Sequence, residues 1–137
     1  MKNYILFLFF LIISISPCFA TEFSIDTVRK LRVKNLDSTQ YGIASYYHSK
    51  FQGRQTASGE IYNENLMTGA HNSLPFNTWV KVTHLKTGKS VIIKINDRLH
   101  YKNTRLVDLS KSAAAKLGIL KAGLARVKLE VLESPPE

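Results

Sequence analysis

From Gln40 onward apolar and polar residues alternate in short runs separated by turn formers, the pattern of half-buried strands. Tyr41–Tyr47 (YGIASYY) is rich in strand-forming side chains, and Trp79–His84 (WVKVTH) and Arg126–Val131 (RVKLEV) alternate. Ser90–Ile95 (SVIIKI) is nearly continuous and β-branched, which predicts a strand buried on both faces. Leu66–His71 and Arg105–Leu109 complete a set of six. Lys86-Thr87-Gly88-Lys89 predicts the turn of a hairpin between the strands it separates. Ser110–Leu117 predicts one helix, with Ser110 as N-cap, an alanine run inside and Gly118 just past the end. Six short strands and one or two short helices predict a mainly β domain closed into a barrel, because closure removes the two free edges of an open sheet.

The first residues follow a different pattern. Lys2 precedes an apolar run, Tyr4–Ile15, that Ser16-Pro17 interrupts before Cys18-Phe19-Ala20. A charged start, an apolar middle and small residues at the end predict a signal peptide over 1–20, cut after Ala20. The alternative, a permanent anchor, needs about 20 apolar residues, more than this run supplies. Residues 21–39 then form a linker or arm, 40–133 the barrel domain, and 134–137 a tail. The expected location is outside the cytoplasm, periplasmic or secreted. Cys18 is the only cysteine, so lipidation there is the alternative that would tie the chain to a membrane; Pro17 immediately before it disfavours that processing. Without Cys18 the mature chain has no disulfide, and packing alone must stabilise it.

Charge narrows the partners. Of 19 Lys and Arg only Lys2 lies in the leader, leaving 18 against 10 Asp and Glu, a formal +8 for the remainder. That excess suits nucleic acid, an anionic membrane face or an anionic wall polymer. Export makes nucleic acid the poorest fit of the three. A monomer is the default.

Two polar stretches exceed what turns and core require. One is Phe51–Tyr62 (FQGRQTASGEIY), the other Asn96-Asp97-Arg98, read as a loop directly after the apolar strand. A carboxylate at the end of a buried strand is partly desolvated, the setting of a general acid. Its competing role is an Asx-turn bonding its own backbone, and for Glu60 a solvated surface position. No His/Cys/Asp cluster has metal-ligand spacing and no Gly-rich loop cradles phosphate, so neither metal nor cofactor is expected.

Gly42-Ile43-Ala44-Ser45-Tyr46-Tyr47, Phe51–Glu60, Thr68-Gly69-Ala70-His71-Asn72-Ser73-Leu74-Pro75-Phe76, Asn96-Asp97-Arg98, Arg105–Ser110 and Ala113–Gly118, in this order, resemble the rare lipoprotein A family. The resemblance covers Tyr41 to Leu132. It implies a six-stranded double-psi β-barrel and a peptidoglycan lytic transglycosylase that cleaves MurNAc–GlcNAc linkages, preferentially in glycan stripped of stem peptides. Glycan strands are then the partner. The family's functional positions fall on Asp97, Glu60 and His71. Asp97 is expected to protonate the leaving oxygen, with Glu60 and His71 tuning or orienting it; a buried structural histidine is the competing role for His71.

Arg54, Arg98, Ser58 and Tyr47 are the expected substrate-binding residues, the arginines through the lactyl carboxylate or N-acetyl carbonyls; a buried partner that fixes Asp97 is the equal alternative for Arg98. Tyr46 and Phe51 are further stacking candidates. Asp108 is expected to cap the helix or lock the barrel. The chain departs from the family pattern at Leu99-His100, where Gly-Pro usually follows Asn-Asp-Arg, and at His48, where Gly is common. Two other readings remain open: a non-catalytic, expansin-like glycan-binding module, and a hydrolase using Asp97 and Asp108 as a carboxylate pair.

Overall fold

The computed structural model describes residues 24–25, 27–28 and 39–136; the expected signal peptide, Cys18 and most of the linker lie outside them. Six strands form one closed barrel: β1 (Thr39–Tyr46), β2 (Thr68–Ala70), β3 (Trp79–His84), β4 (Ser90–Asp97), β5 (Val107–Leu109) and β6 (Ala125–Val131). Around the barrel the order is β1-β5-β2-β4-β3-β6. β1 runs parallel to β5 and antiparallel to β6. β2 lies between β4, to which it is parallel, and β5, to which it is antiparallel. β3 and β4 form the expected hairpin, closed around Gly88 at φ 74°.

Alternation along each strand fills the interior. Val80, Val82, Ile93, Ile95, Val107, Leu109, Val127 and Leu129 are fully buried. β4 is buried on one face only: Val91, Ile93 and Ile95 point inward, while Ile92 and Lys94 are half-buried on the outside. The continuous apolar run therefore reflects one strongly buried face and one partly covered face, not two buried ones.

The single helix with a full description, α1 (Lys111–Leu117), starts and stops as its sequence predicts. Ser110 Oγ accepts the Ala113 N–H, and Gly118 closes the helix at φ 81°. Ala113, Ala114 and Leu117 join the core. A short 3-10 turn, Ser49–Phe51, follows β1.

Two details position the site. First, β4 extends two residues beyond the predicted strand, so Asn96 and Asp97 belong to it rather than to a loop. Gly69 pairs with Ile95 but Ala70 pairs with Asp97, leaving Asn96 as the extra residue of a bulge. Such a bulge re-aims the side chains beside it. Second, β2 must approach its neighbours closely. A Cβ on Gly69 would lie 2.8 Å from Ile93 Cδ1 and 2.9 Å from the Asp108 carbonyl oxygen.

Candidate active site

A cleft of about 610 Å³ opens over the ends of β1, β4 and β5. Its walls come from Tyr46 and Tyr47, the 3-10 turn, Arg54, the Asp97–His100 segment, Arg105 and Asp108. A second cleft of about 660 Å³, around Leu85 and Leu124, has no carboxylate among the described residues that line it.

Asp97 is held through both oxygens. Oδ1 accepts two main-chain N–H groups, from Ala57 and Arg98, each at 2.8 Å. Oδ2 accepts the Tyr47 hydroxyl at 2.6 Å. Burial, and then the bond to Asp97, hold the Tyr47 phenol far above its ordinary range, so it keeps its proton throughout the physiological range. The Tyr47 ring packs 4.7 Å from Tyr62 and 5.9 Å from Phe51, centroid to centroid, which fixes the hydroxyl's direction. Tyr47 thus touches the carboxylate itself, a role that an aromatic residue at strand spacing does not advertise.

Glu60 sits beside Asp97's strand rather than in the cleft lining. Its Oε1 accepts Lys94 Nζ at 2.7 Å and its Oε2 accepts Asn96 Nδ2 at 2.8 Å. The Asn96 bond, followed by the Lys94 bond, holds the Glu60 carboxyl below its ordinary range. The turn that carries it lies on the same strand end: Ser58 N–H donates to the Asn96 carbonyl at 3.2 Å and Thr56 N–H to the Glu60 carbonyl at 2.8 Å. Between them, Ala57 supplies its N–H to Asp97. Glu60 therefore fastens the turn that delivers a donor to Asp97. Ser58 serves within that turn, its hydroxyl 3.0 Å from Thr56 Oγ1, and is outside the cleft lining.

His71 is 3% exposed and also stands behind the cleft. Its Nδ1 accepts the N–H groups of Ser73 and Leu74 at 3.2 and 3.1 Å. That assigns the proton to Nε2, which faces Gln40 Oε1 at 3.2 Å. Burial, helped by the Arg98 charge, lowers its pKa from 6.5 to about 4, so the ring is neutral near pH 7. Its backbone reaches the site: His71 N–H donates to the Asp97 carbonyl at 3.1 Å. Arg98 Nη1 donates to the carbonyls of His71 and Asp97, at 2.9 and 3.2 Å, and the guanidinium lies 3.9 Å from the Phe76 ring centroid. Arg54 stands over Phe51 at 5.4 Å on the outer wall.

Asp108 does not cap the helix. The cap is Ser110, and Asp108 lines the cleft with Asp97. Its two oxygens accept Arg105 Nε and Nη2 at 2.7 and 2.8 Å, and Asn103 Nδ2 approaches Oδ2 at 3.4 Å. Ala70 pairs with Asp97 on one side and with Asp108 on the other. At strand spacings of about 4.8 Å the two acidic residues stand roughly 10 Å apart across it.

Residues 39–129 match a family model described as "Lytic transglycolase". The chain belongs to the lytic transglycolase family. Its barrel is the double-psi β-barrel. Relatives within the lytic transglycolases include a protein of Pasteurella multocida, the "Endolytic peptidoglycan transglycosylase RlpA", 50% identical over 92 residues that cover 67% of this chain and 31% of that protein. The protein of the same name from Neisseria meningitidis serogroup A is 49% identical over 92 residues, covering 67% and 38%. The chain thus spans about a third of the length of these curated relatives. Among solved structures the barrel is similar to an expansin of Clavibacter michiganensis, with TM-score 0.58, 26% identity, and coverage of 72% of this chain and 52% of that one. The Streptomyces papain inhibitor shares the fold at TM-score 0.58 and 18% identity, covering 72% and 97%.

Proposed function

We propose that this lytic transglycolase-family barrel is an endolytic peptidoglycan transglycosylase that acts on the bacterial wall after export, as a monomer and without a cofactor. The observation that carries the reading is the asymmetry of the Asp97 carboxylate. Oδ1 is occupied by two fixed main-chain donors, whereas Oδ2 meets, among the described residues, only the mobile hydrogen of the Tyr47 hydroxyl at the cleft wall. A proton on Asp97 therefore rides on Oδ2, where the phenol can reverse from donor to acceptor.

The reaction needs one such group. Asp97 Oδ2–H gives its proton to the glycosidic oxygen as the bond to the MurNAc anomeric carbon breaks. The 6-hydroxyl of the same MurNAc then attacks that carbon, and its proton returns to Asp97. The products are a free GlcNAc hydroxyl and a 1,6-anhydroMurNAc end; no water is consumed and the acid is regenerated. Glu60 and His71 act on this step through the backbone: Glu60 fastens the Ala57 N–H donor, and His71 orders the 71–74 turn whose first amide holds Asp97's carbonyl. Asp108 is a poor second carboxylate for hydrolysis, since Arg105 occupies both of its oxygens.

The likeness to an expansin favours one other reading, a groove that binds glycan without cleaving it. Incubation of the purified chain with intact and amidase-treated peptidoglycan, followed by mass spectrometry, separates the two. Anhydro-sugar ends that disappear in Asp97→Asn are the expected result. Reducing ends would indicate hydrolysis, and sedimentation with the wall but no released product would indicate binding alone.

A further inference from the structure

The cleft is built to receive a negative charge, and one of its cations is prepared for it. Its lining contains Lys50, Arg54, Arg98 and Arg105 against two carboxylates, Asp97 and Asp108. The four cations are not equivalent. Arg98 is committed to two carbonyl oxygens and to the face of Phe76. Lys50 and Arg54 both stand over Phe51, at 5.4 Å each, on the outer wall.

Arg105 differs from all three. Asp108 grips one edge of its guanidinium through Nε and Nη2. The fork has five N–H groups. Two face Asp108, which leaves both hydrogens of Nη1 and the second of Nη2 for a ligand. The Arg105 side chain is 37% exposed while Asp108 is 14% exposed, so the acid is the inner partner and the guanidinium the outer one. Asp108 is itself rigid, lying on β5 between Val107 and Leu109, both fully buried. A planar fork already held in one orientation loses little freedom on gripping a second carboxylate.

We infer that Arg105 is the receptor for a free carboxylate on the bound glycan, with Asp108 as its positioning residue. The inference rests on the transglycosylase reading for the identity of the ligand. In a glycan of GlcNAc and MurNAc the carboxylate belongs to the lactyl group on the muramyl ring. It is free once the stem peptide is gone and is an uncharged amide while the peptide remains. Asp97 and Asp108 stand about 10 Å apart across Ala70, so the lactyl arm can reach Arg105 while the anomeric carbon of its ring lies at Asp97. Arg105 thereby sets the preference for peptide-free strands by charge, not by space.

The test is equilibrium binding, read by calorimetry on the full chain carrying Asp97→Asn so that bound glycan is not consumed. Two probes are used: a peptide-free GlcNAc–MurNAc oligomer, and the same oligomer with its lactyl carboxylates converted to methylamides. Loss of one charge-assisted hydrogen-bonded pair is worth about 1.5–3 kcal/mol, so the amide is expected to bind at least about ten-fold more weakly. Adding Arg105→Gln should abolish that discrimination by weakening only the acid form. Arg105→Lys, which keeps the ion pair with Asp108, should retain part of it. Asp108→Asn should reduce it by freeing the guanidinium.

Equal affinity of the two oligomers for the Arg105 protein would overturn the inference, as would discrimination that survives Arg105→Gln, or failure of both to bind. Cleavage is scored separately on the chain with Asp97 intact. Discrimination without anhydro ends would remove the proposed activity and leave the receptor; anhydro ends without discrimination would do the reverse.

Discussion

Acidification should weaken the fold through one imidazole. His71 is almost fully buried and its Nδ1 accepts two main-chain N–H groups, so protonation of the ring must break that arrangement or be resisted by it. Its pKa falls from 6.5 to about 4, through burial first and the Arg98 charge second. The sign follows from which state binds the proton. Below pH 6.5 the unfolded chain takes up a proton that the folded chain refuses, so stability falls as pH falls, until the folded state also titrates near pH 4. Above 6.5 this contribution is fully present. A tenfold weakening of proton binding is worth about 1.4 kcal/mol. The whole window amounts to about 3 kcal/mol, a large part of the roughly 5–15 kcal/mol that holds a domain together. Glu60 adds a loss of the same sign, but only below its ordinary range near 4.5, where its bonds to Asn96 and Lys94 resist protonation.

Urea unfolding at pH 7.0 and at pH 4.5 checks this. With a slope of about 1–2 kcal/mol per molar urea, the midpoint should drop by roughly 2 M. The control is His71→Asn, whose side-chain oxygen can still accept the Ser73 and Leu74 amides but cannot titrate. It should start from a lower midpoint and lose much less between the two pH values. Parallel losses in both proteins would refute the assignment of the pH dependence to His71.

Two further perturbations probe the site and the frame beneath it. Tyr47→Phe removes a 2.6 Å hydrogen bond to Asp97 while keeping the ring against Tyr62 and Phe51; the cleavage rate should fall by about ten-fold or more with the urea midpoint nearly unchanged, measured as anhydro-sugar release per unit time. Gly69→Ala places a methyl 2.9 Å from the main-chain oxygen of Asp108, which cannot retreat without opening the β2–β5 pairing. It should cost about 1–3 kcal/mol, read as a lowered thermal midpoint.

The strands were legible in the sequence because a barrel interior demands a period of two, which SVIIKI, WVKVTH and RVKLEV carry. Ser110 and Gly118 marked the helix ends through local chemistry alone. The end of β4 was hidden, because the apolar pattern stops at Ile95 while Asn96 and Asp97 are held by partners on distant segments: Ala57, Ser58, Glu60 and His71. Glu60 and His71 stood out as residue types in a motif, yet nothing linear shows that each approaches Asp97 through an intervening backbone group. Tyr47 stood out as a substrate-binding candidate, but nothing in the strand pattern shows that its hydroxyl bonds Asp97. Asp108 was misplaced because a carboxylate just before a helix looks like a cap, and its grip on Arg105 depends on where β5 sits between β1 and β2.

The order of strands around the barrel also governs when the protein can become itself during synthesis. β1, the first strand made, takes both of its neighbours from the far end of the chain: Ala44 pairs with Val107 on one side and with Ala125 on the other. Its edges stay open until nearly every residue is available, and pairings of such long sequence separation form slowly. A chain stopped anywhere before β6 lacks the antiparallel partner of β1 and has no closed barrel. The same delay leaves β1, with its exposed Tyr41 and Ile43, as the segment most in need of a chaperone's cover.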